Sequence, residues 1–336
     1  MTLRADRQAR RLRSQERAGI KLETVFGLTG EKLQTGTIDP RLRGILLPTT
    51  TPFTEAGELD IDASLSNIRK WARTGITGFV LLGSTGERVH LDEREYLRVL
   101  ETARNEIPRE LAFIAGAGQQ STVGTVKEIQ QAAQLGADAV LVITPHYYRA
   151  AITQETLAGY YMAVADASPI PVLLYSMPAF TGIKIEPDTI ARLSEHPNII
   201  GVKDSSNDVA GFAQTVKVCP AEFAVLTGNG TILLDALRAG ASGAILAVGC
   251  VAPEVCVEIF NAFQRDDQQR AGSLQSKLTP LAAAVTTKYG IGGLKAALDL
   301  AGYQGGTVRA PLRSPEETAR TEIASLLRGG AMTHLP

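Results

Sequence analysis

Cysteine is nearly missing from this chain. Three occur in 336 residues, Cys219, Cys250 and Cys256, an odd number with no CxxC pair. That excludes a disulfide framework and a zinc ribbon and points to a reducing compartment. Histidine is scarce too: His90, His146, His196 and His334 are scattered, and no metal-ligand cluster can be assembled from them. Charge of one sign is not in excess. The 34 basic and 35 acidic side chains leave a net charge of -1, so no overall field recommends nucleic acid or an anionic membrane as partner. No apolar run approaches the ~18 residues needed to span a bilayer. The opening MTLRADRQARRLRSQERAGIK lacks the apolar stretch of a secretory signal, and the cytoplasm is the expected location. There is no GxSxG elbow and no GxxxxGKS loop, and GAG at 116–118 lacks the GxGxxG spacing. Serine hydrolysis, nucleotide binding and a bound cofactor are therefore not expected.

What is present is apolar material for a large core, 44% of residues against 21% charged. From Gly44 onward eight short runs recur: GILLPTT (44–50), GFVLLGS (78–84), AFIAGAG (112–118), ADAVLVITP (137–145), IPVLLYS (170–176), IIGVKDS (199–205), FAVLTG (223–228) and GAILAVG (243–249). Each is almost continuously apolar, as strands buried on both faces of a parallel sheet are. Helical segments such as LDEREYLRVLETARNE and STVGTVKEIQQAAQLG lie between them, several opened by Ser, Thr or Asp caps. Eight βα units of this length predict an α/β protein, a (β/α)8 barrel, with an open doubly wound sheet as the alternative. After the eighth run only helical patterns follow, through QRAGSLQSKLTPLAAAVTTKYG and IGGLKAALDLAG, which read as a C-terminal helical appendix. The expected division is 1–40 as a basic N-terminal extension, 41–250 as the barrel and 251–330 as the C-terminal helices. Asp6 and Glu16 interrupt the basic start, which reads as a solvated arm rather than a transit peptide.

Chemistry in such a barrel belongs to the C-terminal ends of the strands. Lys203 follows the apolar run 199–202 at one of them, and alternation along the strand is expected to aim its ammonium into the barrel mouth. Burial there disfavours an ammonium ion, and attack on a carbonyl requires a free amine, so Lys203 is a nucleophile candidate. By position alone it serves equally as a structural partner of Asp204. GSTGE (83–87) offers two hydroxyls and accessible backbone amides, a cradle for a carboxylate or a plain strand-to-helix turn. Tyr175 ends the preceding strand, where a phenol carries protons or merely fills the core. Tyr147 and Tyr148 are further candidates, and His146 reads as a loop residue.

At these residues the chain resembles the dihydrodipicolinate synthase and N-acetylneuraminate lyase superfamily of pyruvate-dependent class I aldolases. The likeness runs from about Gly44 to about Leu327 and is carried by the ordered set PTTTPF (48–53), GSTGE, TPHYY (144–148), YSMPAFTG (175–182), GVKDSS (201–206) and TGNG (227–230). YSMPAFTG, LSEHPNIIGVKDSSNDV (193–209) and YGIGGLKAALDLAGY (289–303) look most like 4-hydroxy-2-oxoglutarate aldolases. The resemblance implies that Lys203 forms a Schiff base with pyruvate, that Tyr175 relays protons, that Ser84 and Thr85 hold the carboxylate, and that Tyr148 reaches a neighbouring subunit's site. The expected set is Lys203, Tyr175, Tyr148 and Thr85 for catalysis, with Ser84, Thr85, Ser205 and Phe180 on the substrate, and neither cofactor nor metal. It further implies a homotetramer, a dimer of dimers, acting on a 2-oxo acid and an aldehyde. Synthases of the superfamily typically carry Asn after the strand-five tyrosine and Arg five residues past it, where this chain has Ser176 and Phe180. A phenyl ring cannot grip a carboxylate in two places. Cleavage of 4-hydroxy-2-oxoglutarate to pyruvate and glyoxylate is therefore the expected reaction. The alternatives are 4-hydroxy-tetrahydrodipicolinate synthesis, sugar-acid cleavage, and a barrel that binds a 2-oxo acid without turning it over.

Overall fold

Residues 37–329 are described by a computed structural model of the chain. Residues 1–36 of the expected basic extension lie outside the described residues. The eight apolar runs form eight parallel strands: β1 (Ile45–Pro48), β2 (Gly78–Leu81), β3 (Ala112–Ala117), β4 (Ala139–Ile143), β5 (Val172–Ser176), β6 (Ile199–Asp204), β7 (Ala224–Thr227) and β8 (Gly243–Ile245). Each pairs with its sequence neighbours, and β8 returns to β1 through Ile45↔Ala244 and Leu46↔Ile245. The sheet closes into the (β/α)8 barrel, and that closing ladder rules out the open doubly wound alternative. Closure is tight: a Cβ on Gly243 would stand 2.4 Å from the Gly44 carbonyl oxygen.

Both faces of every strand are buried, which is why the runs show so little polar alternation. Leu46, Val80, Ile114, Leu141, Leu173, Leu226 and Ile245 fill the barrel. Leu47, Phe79, Phe113, Val142, Leu174 and Val225 point instead at the surrounding helices. Burying each such side chain contributes about 1.5–3 kcal/mol. Sequence-local caps start the helices: Asp60, Ser121, Thr153 and Asp208 each accept a first-turn amide. Asp92 and Glu95 form a reciprocal capping box.

Beyond β8 come helices Pro253–Gln264, Gln268–Ala283, Gly290–Leu300 and Glu317–Gly329. Leu274, Leu278, Leu281, Leu294, Leu298 and Ile323 on them join the same apolar cluster as the outward faces of the strands. The segment read as one helix from QRAG to KYG is broken. Pro280 lies inside it and a π turn, Ala284–Lys288, follows. Proline has no N–H for the ladder and its ring crowds the preceding turn, which displaces the hydrogen-bond register. The next helix accordingly starts afresh at Gly290.

Candidate active site

Lys203 and Tyr175 are direct partners across β5 and β6. How β6 aims the lysine depends on an irregularity. Val172 pairs with Ile199 but Leu173 pairs with Gly201, so β6 holds one extra residue. Ile199 and Val202 both face the helices although three positions apart, and Ile200 packs inside. Strict alternation from Ile199 would have turned Lys203 outward; the bulge turns it into the barrel. There it is 5% exposed, with its amine nitrogen 4.6 Å from the centre of the Tyr175 ring. Asp204 faces elsewhere and accepts the Ser206 amide at 2.7 Å. Burial raises its carboxyl above the ordinary range, and among the described residues no ion pair joins it to Lys203.

The hydroxyl turn Ser84–Gly86 leaves the end of β2. Its Ser84 Oγ lies 3.4 Å from the Tyr175 hydroxyl, so lysine, phenol and turn form one contiguous surface. Two non-glycine residues in left-handed backbone bracket the turn, Leu82 at φ 58° and Glu87 at φ 51°. Each costs of order 1 kcal/mol and persists only where its surroundings impose it. For Glu87 those surroundings are explicit. Its carboxylate is 2.5 Å from the Lys295 ammonium, and its other oxygen accepts the Arg309 amide at 3.0 Å and faces His90 Nδ1 at 3.2 Å. Lys295 also donates to the carbonyls of Thr51 (2.7 Å) and Thr307 (2.6 Å), above the Phe53 ring. Burial pulls this lysine below its ordinary value, opposed by the charge of Glu87. The Thr51 hydroxyl in turn donates to the Gly86 carbonyl at 2.7 Å.

A cavity of about 710 Å³ opens over the phenol and the turn, with Lys203, Thr85 and Ser205 outside its wall. Ser84 and Tyr175 form part of its wall, Phe180 flanks them, and Ile291, Leu312 and Arg313 come from the C-terminal segment. Phe180 is 63% exposed on the short helix Pro178–Thr181. Ser176 is buried and accepts the Ile185 amide at 3.3 Å, so it faces away from the cavity's chemistry. Thr85 is buried beside Ser84. Ser205 and Lys203 pack together on Gly228, where a Cβ would collide with the Ser205 hydroxyl and reach within 2.7 Å of Lys203 Cε. Tyr148 does not join this group: it is exposed, edge-on to Tyr147 at 5.1 Å, and outside the cavity wall. Among the described residues no cluster of three His, Cys, Asp or Glu side chains is placed to hold a metal ion, and no helix is long and apolar enough to cross a membrane.

Sequence reasoning passed over Glu87, Lys295 and Gly228. The first two stand inside quoted motifs, yet Lys295 meets Thr51 across 244 positions of chain, and no local spacing announces such a pairing. Gly228 lay in TGNG, where a glycine reads first as a turn.

A buried amine at a strand end, a phenol beside it and a hydroxyl turn within reach define a lyase of the imine-forming class I type. The chain belongs to the dihydrodipicolinate synthetase family, whose match covers residues 41–329. A 4-hydroxy-tetrahydrodipicolinate synthase of Exiguobacterium sp. is 33% identical to it over 284 residues, 84% of this chain and 96% of the relative. An uncharacterized DapA-like lyase of Halobacterium salinarum is 36% identical over 289 residues, 86% and 94% of the two chains. Among solved structures, YagE, a prophage protein of the dihydrodipicolinic acid synthase family from E. coli K12 in complex with pyruvate, superposes with a TM-score of 0.81 at 30% identity, over 86% of this chain and 99% of its own.

Proposed function

We propose that the chain makes or breaks a carbon–carbon bond next to a 2-oxo acid through an imine on Lys203. The amine adds to the ketone of pyruvate, water leaves, and the protonated imine draws electrons from the adjacent carbon. Loss of a methyl proton gives an enamine that adds to an aldehyde, and Tyr175 protonates the new alkoxide. In the cleavage direction Tyr175 removes the hydroxyl proton, the aldehyde departs, and the enamine is protonated and hydrolysed to pyruvate and free lysine. Ser84 and Thr85 hold the carboxylate. The observation that carries this reading is the buried Lys203 amine on Tyr175, whose hydroxyl meets Ser84. The pyruvate found in YagE supports the 2-oxo acid. Borohydride with pyruvate is expected to add mass at Lys203 in the parent and none in Lys203→Ala. Absence of the adduct, or equal adduct in the variant, overturns the mechanism.

For the aldehyde, the relatives named 4-hydroxy-tetrahydrodipicolinate synthase support condensation of pyruvate with aspartate semialdehyde, ahead of the 4-hydroxy-2-oxoglutarate cleavage expected from sequence. Phe180, standing at the cavity where synthases typically carry arginine, favours the second reading. Parallel assays of condensation with the semialdehyde and of pyruvate release from 4-hydroxy-2-oxoglutarate separate them. Turnover by either excludes a merely binding barrel. The exposed Tyr148 is proposed to meet a second copy in a tetramer, and the cytoplasm remains the proposed location.

A further inference from the structure

We infer that Lys295, on a C-terminal helix remote from β6 in sequence, is a positioning residue for the hydroxyl turn that receives the 2-oxo acid's carboxylate. The inference deepens the proposed function and rests on its assignment of Ser84 and Thr85. One ammonium grips the turn by two routes. Directly, it holds the carboxylate of Glu87, the residue that follows the turn, at 2.5 Å. Indirectly, it holds the Thr51 carbonyl at 2.7 Å, while the hydroxyl of the same threonine holds the Gly86 carbonyl, the last of the turn, also at 2.7 Å.

The grip is rigid for reasons visible in its partners. Glu87 cannot swing, because its second oxygen takes the Arg309 amide at 3.0 Å, and the Arg309 guanidinium is itself forked onto Glu95 by two bonds of 2.7 Å. The Lys295 and Glu87 side chains are 2% and 1% exposed, and the Phe53 ring lies under the ammonium, so water does not compete for either charge. A buried ion pair is a weak source of net stability compared with apolar packing, and its value lies more in the single conformation it selects. Here that conformation is a strained one. Glu87 is held left-handed at φ 51° and Leu82, at the other end of the turn, at φ 58°. Released from Lys295, the segment is free to relax toward ordinary backbone, which carries Ser84 away from Tyr175 and spoils the spacing to Lys203.

Two variants of the full chain test this. Glu87→Gln combined with Lys295→Met removes both charges together, leaving none stranded. Thr51→Val keeps the ion pair and frees only the Gly86 carbonyl. For each, pyruvate is titrated in the borohydride trap, the adduct on Lys203 is read by mass, and the thermal midpoint is recorded. The half-saturating pyruvate concentration is expected to rise about tenfold to a hundredfold in the double variant, and by a smaller factor in Thr51→Val, while the adduct at saturation stays complete. A merely structural role lowers the midpoint and leaves half-saturation alone. If either folded variant stays within about twofold of the parent, the inference is overturned. Should the double variant not fold, Thr51→Val decides alone. A parent that traps no pyruvate overturns the reading of the site and this inference with it; a parent trapped on Lys203 with unmoved variants overturns the inference only.

Discussion

Replacing Tyr175 by phenylalanine isolates the phenolic proton from everything else that residue does. The ring that stands 4.6 Å from the Lys203 amine remains, as does its place in the barrel interior at 4% exposure. Only the hydroxyl goes. Among the described residues its side-chain bond is the 3.4 Å contact with Ser84, well beyond the ~2.7–2.8 Å usual between hydroxyls. Its loss should therefore cost folding at most about 1 kcal/mol, a minor part of the ~5–15 kcal/mol by which such proteins are stable. A phenol acting as acid and base contributes far more to the reaction, about 10²–10⁴ in rate, or ~2.7–5.5 kcal/mol of barrier. The assay is kcat with pyruvate and the productive aldehyde at saturation, set beside urea denaturation of the same protein. A folded Tyr175→Phe with kcat within about threefold of the parent refutes the assignment, as does a loss of activity fully matched by loss of fold.

Gly228→Ala places a methyl group within 2.7 Å of Lys203 Cε, so the rate of pyruvate trapping should fall by about tenfold to a hundredfold while the circular dichroism spectrum is kept; an unchanged trapping rate refutes the packing argument. Lys295→Met alone strands the buried Glu87 carboxylate and is expected to cost about 3–5 kcal/mol in denaturant unfolding, and adding Glu87→Gln should recover part of that; a double variant less stable than the single contradicts the pairing. Asp204 has its carboxyl raised by burial, so the folded chain binds the proton more readily than the unfolded one. Its contribution to stability is present at low pH and is lost as pH rises through the folded value. Asp204→Asn should therefore be favoured over the parent at neutral pH, by a margin that shrinks toward about pH 4 in a series of urea titrations. A margin constant with pH sinks that account.

The barrel was legible because its strands are buried on both faces: runs such as ADAVLVITP and IPVLLYS announce themselves by lacking polar alternation, and their spacing announces the helices between. Lys203 was found by its place at a strand end, and Tyr175 and Ser84 in the same way. The inward direction of Lys203 was expected, but from strict alternation, which alone turns it outward; the extra residue in β6 that turns it inward exists only relative to β5. The alternative pairing with Asp204 likewise needed coordinates, which turn that carboxylate to Ser206. The run from QRAG to KYG reads as one helical pattern, with no allowance for Pro280, which sits inside a helix and is followed by a π turn. Glu87 and Lys295 stayed hidden because partners brought together by closure of the fold leave no periodic trace in the chain.

The cavity draws its walls from widely separated parts of the polypeptide, from Leu82 to Arg313. During synthesis the ribosome delivers Lys203 well before Ile291, Leu312 and Arg313, so a nascent chain carries the amine proposed to form the imine ahead of part of the cavity wall. The enclosure of the cavity is thus completed last as the chain is made, and a product truncated before Ile291 would keep Lys203 but lack part of that wall.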